Sequence, residues 1–229
     1  MTLSVTRGQY MEWHLVMCSD YTVPRRAKHT HEELREIILK AATELIEEKG
    51  LEGLSAREVA RRINYSPGTL YNVFKDRDEI LLTIESRLLD SLETYLSHLP
   101  PSDAARGQVI ALANASLQFT HANPNLWNLL FEHQLGRGPA APAWYTEKIQ
   151  ALMQKIEAAI APLMQGRSQD DIERAAGVLW ASLHGITSLS TANRLSNVTG
   201  DSAQVLIENL IATYLDGLEA KASEANRWA

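Results

Sequence analysis

The residues of this chain whose types and spacing could do chemistry cluster between Ser55 and Arg77. Ser66, Pro67, Gly68, Thr69, Tyr71 and Asn72 are mostly short and polar and carry no negative charge, while Ser55, Arg57, Lys75 and Arg77 supply hydroxyl and cationic groups around them. The chemistry they suit is non-covalent. Small polar side chains can reach base edges in a DNA major groove, where bulk would hold the backbone away, and cations can hold phosphates. Catalytic patterns are missing from the sequence: it has no Gly-x-Ser-x-Gly nucleophile motif, no Gly-rich phosphate loop and no repeated Glu-x-x-His spacing for a metal-carboxylate bundle.

The elements that must position these residues are legible locally. Ser55 with Glu58 three residues on forms a capping-box pattern, which predicts a helix over Ala56 to Ile63. Asn64 can take the left-handed conformation of a sharp exit. Ser66 then reads as an N-cap and Pro67 as the first residue of a second helix, to about Phe74, with Leu54, Val59, Ala60, Ile63, Leu70 and Phe74 on the buried side. A helix, a tight turn and a short exposed second helix form a helix-turn-helix.

The run Ala56-Arg57-Glu58-Val59-Ala60, then Ser66-Pro67-Gly68-Thr69-Leu70-Tyr71, Phe74 and Arg77-Asp78-Glu79-Ile80-Leu81, resembles the DNA-binding domain of the tetracycline-repressor (TetR) family. Asn64 and Arg77 stand where the family usually has Gly and Lys, and Tyr65 replaces a small apolar residue. The resemblance implies that Ser66, Pro67, Gly68, Thr69, Tyr71 and Asn72 face the groove and that Ser55, Arg57, Lys75 and Arg77 hold phosphates. It also implies that a basic arm, Arg25, Arg26 and Lys28, lies close to the DNA backbone or minor groove; a solubilising tail is the alternative.

Charge is distributed to match. The whole chain of 229 residues carries a formal net charge of −6, but residues 25–77 hold 11 Lys/Arg against 9 Asp/Glu, so a weakly basic head precedes an acidic body. Arg57, Arg61, Arg62, Lys75 and Arg77 lie near the groove reader. Residues 1–24 read as a disordered extension, 25–76 as the DNA-binding domain and 77–229 as a ligand-binding and dimerisation domain. Cys18 is the single cysteine, which excludes an intrachain disulfide and a cysteine zinc site. His29 and His31 lack companion ligands, so no metal site and no cofactor is expected. With no apolar run near 18 residues and no secretion signal, the expectation is a cytoplasmic protein with no membrane contact.

Around the helix-turn-helix, apolar periodicity predicts nine helices and no sheet, an all-α fold. A first helix is capped by Thr30 and Glu33 and ends at Lys49-Gly50; a long one follows Asp76 and Glu79, to about His98. Pro100-Pro101-Ser102-Asp103 breaks the chain and caps a helix from Ala104 to Ala122; Pro124 to Leu135, Ala143 to Met164 and Ser168 to Leu195 follow, and Thr199-Gly200-Asp201 introduces the last. The segment Trp180-Ala181-Ser182-Leu183-His184-Gly185 resembles the Trp-x-x-x-His-Gly signature of one class of TetR-family C-terminal domains. In that family the last two helices pair with their copies as a four-helix bundle, implying a homodimer on palindromic double-stranded DNA. A dimer places two readers roughly 34 Å apart, one helical turn. Phe119, His121, Trp127, Phe131, Trp144, Tyr145, Trp180 and His184, with Met153 and His133 beside them, are candidate contacts for a small, largely apolar effector. The Trp180 and His184 face reads more readily as core or dimer packing than as a pocket wall. The expected function is a ligand-responsive repressor; an architectural or cell-cycle DNA-binding role, or a helical-bundle enzyme, is the alternative.

Overall fold

The computed structural model describes residues 29–133 and 141–227. Arg25, Arg26 and Lys28, and the extension ahead of them, lie outside the described residues. Among those described there are nine α-helices and no strand, in the order α1 (His31–Lys49), α2 (Ala56–Ile63), α3 (Pro67–Tyr71), α4 (Arg77–Ser97), α5 (Ala105–Ala122), α6 (Pro124–Glu132), α7 (Ala143–Ile160), α8 (Gln169–Thr191) and α9 (Ala203–Arg227).

Local signals set most of the boundaries. Thr30 and Glu33 make the full capping box, with Glu33 N–H on Thr30 Oγ1 at 3.2 Å and Thr30 N–H on Glu33 Oε2 at 2.7 Å. Ser55 and Asp76 cap α2 and α4 through their side chains, but each box is only half made. Glu58 turns its carboxylate to Arg61 instead, and Glu79 accepts from the Lys75 N–H at 2.8 Å rather than from Asp76. Asn64 sits at φ 59°, ψ 46°, the left-handed exit expected of it.

Several boundaries differ from the sequence expectation: α6 ends at Glu132 instead of Leu135 and α7 at Ile160 instead of Met164, and three others have a local cause. α3 stops at Tyr71: the Asn72 and Val73 N–H groups make tighter three-residue turns on the Thr69 and Leu70 carbonyls, and Phe74, whose N–H still reaches Leu70, drops into the core. α5 begins after Ala104 without a side-chain cap; the Ser102 N–H is held by Gln108 Oε1 at 3.0 Å. α8 ends at Thr191, where Asn193 turns left-handed (φ 55°) and Arg194 N–H reaches back to the Leu189 carbonyl at 2.8 Å.

Two apolar clusters hold the molecule. The first joins Ile38, Leu39, Leu45 and Ile46 of α1 and Val59, Leu70 and Phe74 of the helix-turn-helix to Leu81, Leu88 and Leu92 of α4 and on to Trp127 and Leu129 of α6. The second lies between α5, α7, α8 and α9, around Ile160, Ala176, Ile207 and Leu215. α4 follows directly on the helix-turn-helix and packs against α5, α6 and α7, so it is the element through which the body can move the head.

Candidate nucleic-acid interface and effector pocket

α2 is buried along Val59 and Ala60, and α3 is anchored by Leu70 alone of its five residues. The opposite surface is open. Ser66, Pro67, Gly68, Tyr71 and Asn72 are exposed and Thr69 is half-buried, its Oγ1 2.9 Å from Ser66 Oγ. A Cβ added at Gly68 would meet only Ser66 Oγ, at 3.9 Å, so nothing in the protein itself demands a glycine there. What the missing side chain preserves is space in front of the helix.

The basic residues divide into two kinds. Arg61 is held bidentately by Glu58 (3.0 and 2.6 Å), and Arg62 by Glu44 and Glu48, with the acids' pKa values lowered for Glu58 and Glu48 by those hydrogen bonds. Exposed ion pairs of this sort tie α2 to itself and to α1 and leave little charge to offer a phosphate. Arg57 and Lys75 are exposed and, among the described residues, have no ion-pair partner. Arg77 is exposed and makes one long contact, 3.5 Å, to the Leu51 carbonyl. Ser55 spends its oxygen lone pair on the α2 cap and keeps its hydroxyl hydrogen to donate. The four phosphate-binding candidates are thus the side chains that remain available around α3.

Arg35 is a part of this arrangement that sequence reasoning did not find. Its guanidinium lies 4.3 Å from the centre of the Phe74 ring and donates to Glu79 (3.1 Å) and Thr83 (3.5 Å), so one side chain of α1 clamps the end of the helix-turn-helix onto the start of α4. In the sequence it looks like one more surface arginine of an amphipathic helix. Tyr65 has a comparable use: its ring packs 6.3 Å from that of His29 and ties the turn to the start of α1.

The eight aromatic and histidine candidates for effector contact separate into groups. Trp127, Phe131, Trp180 and His184 come together where α6 meets α8, with Trp127 6.1 Å from Trp180 and 5.6 Å from His184, and Phe131 3.3 Å from His184 by ring centroids. Burial pushes the His184 imidazole down to about 4, so it is neutral at pH 7. Its Nε2 lies 2.9 Å from Ser188 Oγ, while its Nδ1 and Trp127 Nε1 are buried with no hydrogen-bond partner among the described residues. Phe119 packs instead on Tyr95, His121 meets Ser190 on the surface (3.0 Å), and Trp144 is 41% exposed against Tyr145. His133 is no pocket anchor. Its two ring nitrogens face Glu85 Oε1 at 2.6 Å and Asp78 Oδ1 at 3.3 Å, both on α4.

A partly open apolar cavity of about 50 Å³ is lined on one side by Trp180. Leu96 of α4, Leu112 of α5, Leu152 and Ile156 of α7, Leu183 of α8 and Ile211 of α9 are among its walls, and Trp180 is the one of the eight candidates that lines it. Aliphatic side chains from five helices make it.

The tetR-family regulatory-protein model matches residues 38–84, and the tetracyclin repressor-like C-terminal domain model matches 109–214. The first covers the helix-turn-helix with most of α1 and the start of α4, and the second runs from α5 into α9 and holds every residue of the cavity wall but Leu96. The chain belongs to the TetR family. Among solved structures, a protein of unknown function from Rhodococcus sp. RHA1 is 27% identical, with a TM-score of 0.65 over 85% of this chain and 99% of that one. The putative regulatory protein SCO4313 is 25% identical, with a TM-score of 0.65 over 81% and 97%. BioQ bound to its natural double-stranded DNA operator is 19% identical, with a TM-score of 0.59 over 81% and 98%, and shows the fold alone. A TetR-family chain is a DNA-binding transcriptional regulator and not an enzyme. Among the described residues no helix is long and apolar enough to cross a membrane.

Proposed function

We propose that this TetR-family chain is a repressor that binds a palindromic operator as a homodimer, acts in the cytoplasm, and is released by a small, largely apolar effector. The observation that carries the DNA half is the contrast around α3. Arg61 and Arg62 are neutralised in place, whereas Arg57, Lys75 and Arg77 remain available beside an exposed surface of Ser66, Pro67, Gly68, Thr69, Tyr71 and Asn72. Cations fixed in ion pairs would lose those pairs on meeting a phosphate; available ones gain counterion release at once.

Two features support the rest. α8 and α9 each carry glycine in an outward position, Gly185 and Gly217, where a Cβ would meet nothing within the protomer, alongside exposed Val178, Leu189 and Val205. A mid-helix glycine costs about 1 kcal/mol relative to alanine and is repaid when another helix approaches closely. The cavity beside Trp180 supports an effector site. It holds only a few heavy atoms as it stands, so a larger molecule must part α4 and α7 to enter, and that difference in fit is what lets a ligand favour one position of α4 over another.

Selection from a random DNA library tests the reading. The purified protein should enrich a palindrome. Asn72→Ala should then change the preferred sequence, and Lys75→Ala should weaken binding to every sequence and flatten the dependence of affinity on salt by about one unit of slope. Equal losses on all sequences for both variants would overturn the assigned roles, and retention without an enriched sequence would point to an architectural protein.

A further inference from the structure

The wall of the Trp180 cavity contains one charged group, Lys155 of α7. Its aliphatic stem can lie along the apolar lining while its ammonium reaches the rim, where it meets the last turns of α4. There it donates to Ser97 Oγ at 2.8 Å, and it stands 3.5 Å from the Glu93 carbonyl and 3.9 Å from the Glu93 carboxylate. An ammonium has three donors, and this one makes one short hydrogen bond, to a neutral hydroxyl, and one long one, to the Glu93 carbonyl, which leaves its third donor. The nearest carboxylate is too far for a hydrogen bond and is itself half exposed. The group therefore has capacity for an anion that its surroundings do not fill.

Its position gives that capacity a consequence. Along the outer seam, Lys148 pairs with Asp90 and Lys155 with Ser97 and Glu93, so two lysines two turns apart on α7 stitch it to α4. The second stitch crosses the rim of the cavity. Resting on the cavity's assignment as the effector site, we propose that the effector is an amphiphile with one anionic head and an unbranched or lightly branched apolar tail. The head takes Lys155, and the tail fills the space between Leu96, Leu112, Leu152, Ile156 and Leu183. Binding then replaces the Lys155 link to α4 with a link to the ligand, so the head group undoes the seam that the tail must open. An apolar ligand without a charged head would have to separate α4 from α7 against that link.

Decanoate and decanol, matched in tail and different in head, are the probes. Titrated calorimetrically into the full-length protein below the micellar concentration of decanoate and the solubility limit of decanol, decanoate should bind about tenfold more tightly than decanol, the gain of one hydrogen bond to a charged group. Lys155→Met keeps the apolar stem and should bring the two within about twofold, whereas Lys155→Arg should retain the preference. Decanol binding as tightly as decanoate, or a preference unchanged in Lys155→Met, overturns the anionic head while leaving the cavity as the effector site. If neither probe binds and neither changes tryptophan fluorescence, the assignment of the cavity itself falls and takes the inference with it.

Discussion

Gly68 shows what single residues decide at the DNA surface. It lies in the first turn of α3, exposed, with a backbone any residue could adopt and with space for a methyl group. A protein selected only for stability would gain by placing alanine there, because glycine in a helix costs about 0.5–1 kcal/mol. Its retention fits a surface that must approach base edges closely. Gly68→Ala should accordingly raise the thermal stability of the protein, by up to about 1 kcal/mol, while weakening operator binding. Melting curves and a binding isotherm on the same preparation check both signs, and a variant more stable with full affinity would show that the groove does not come so near. The residues around α3 were readable from sequence because turn chemistry and charge act within a few positions. Arg35 was not, since its value comes from Phe74, Glu79 and Thr83, which only the fold brings to it.

Among elements, α4 receives the strongest polar attachment. The side chain of His133, the C-cap just after α6, is almost fully buried with Glu85 of α4, and Asp78, in the first turn of the same helix, faces its other ring nitrogen. Tyr145 of α7 bonds Glu85 as well, and burial with that carboxylate pushes the phenol pKa up. The hydrogen bond to Glu85 is the main cause that raises the His133 pKa above its ordinary 6.5, because two carboxylates facing the ring favour its protonated form. Because the folded value is the higher one, this contribution is fully present below pH 6.5 and is lost as pH rises through the raised folded value. His133→Gln removes one partner of a buried pair and should cost about 3 kcal/mol near pH 6, with the difference from the parent shrinking as pH rises above 6.5 and through the raised folded value. Denaturant titrations of both proteins across that range measure it; a difference that grew with pH would mean that the ring is neutral. His184 has the opposite sign: held near 4, it favours the folded state above pH 6.5 and loses that contribution as pH falls. Helix starts at Thr30, Ser55, Asp76 and Ser168 were legible because a cap is a local pattern. The end of α8 was not, because the turn at Asn193 interrupts an apolar periodicity that continues to Leu195, which is buried from outside the helix. The cavity was illegible for a related reason. Aromatic residues draw attention in a sequence, yet Phe119 is consumed by Tyr95 and Trp144 faces outward, while aliphatic residues drawn from five helices line most of the space.

At the scale of the molecule, what remains unexplained by one protomer is the outward surface of α8 and α9. Val178, Ala181, Gly185 and Leu189 recur at helical spacing on α8, and Val205, Ala212 and Gly217 lie outward on α9. Between the two helices Leu206, Leu210 and Tyr214 floor an open groove with Ile186 and Leu218. Inside the protomer the same helices are fixed by their other faces, and Arg106 of α5 ties α9 down through Asp216 at 2.7 Å. The outward residues are thus surplus to the fold of one chain, and two of them are glycines that weaken their helices unless a neighbour comes close. A second copy related by a two-fold axis would bring the same strip against itself. Gly185→Leu tests this from the solvent-facing side of α8, since the position is exposed and an added Cβ meets nothing within 4 Å. The variant should keep the helical content and melting behaviour expected of an intact protomer, shift from dimer to monomer in light scattering at micromolar concentration, and lose palindrome affinity far more than half-site affinity. A Gly185→Leu protein that remained dimeric would move the interface to another face, and would leave the two outward glycines without the partner that explains them.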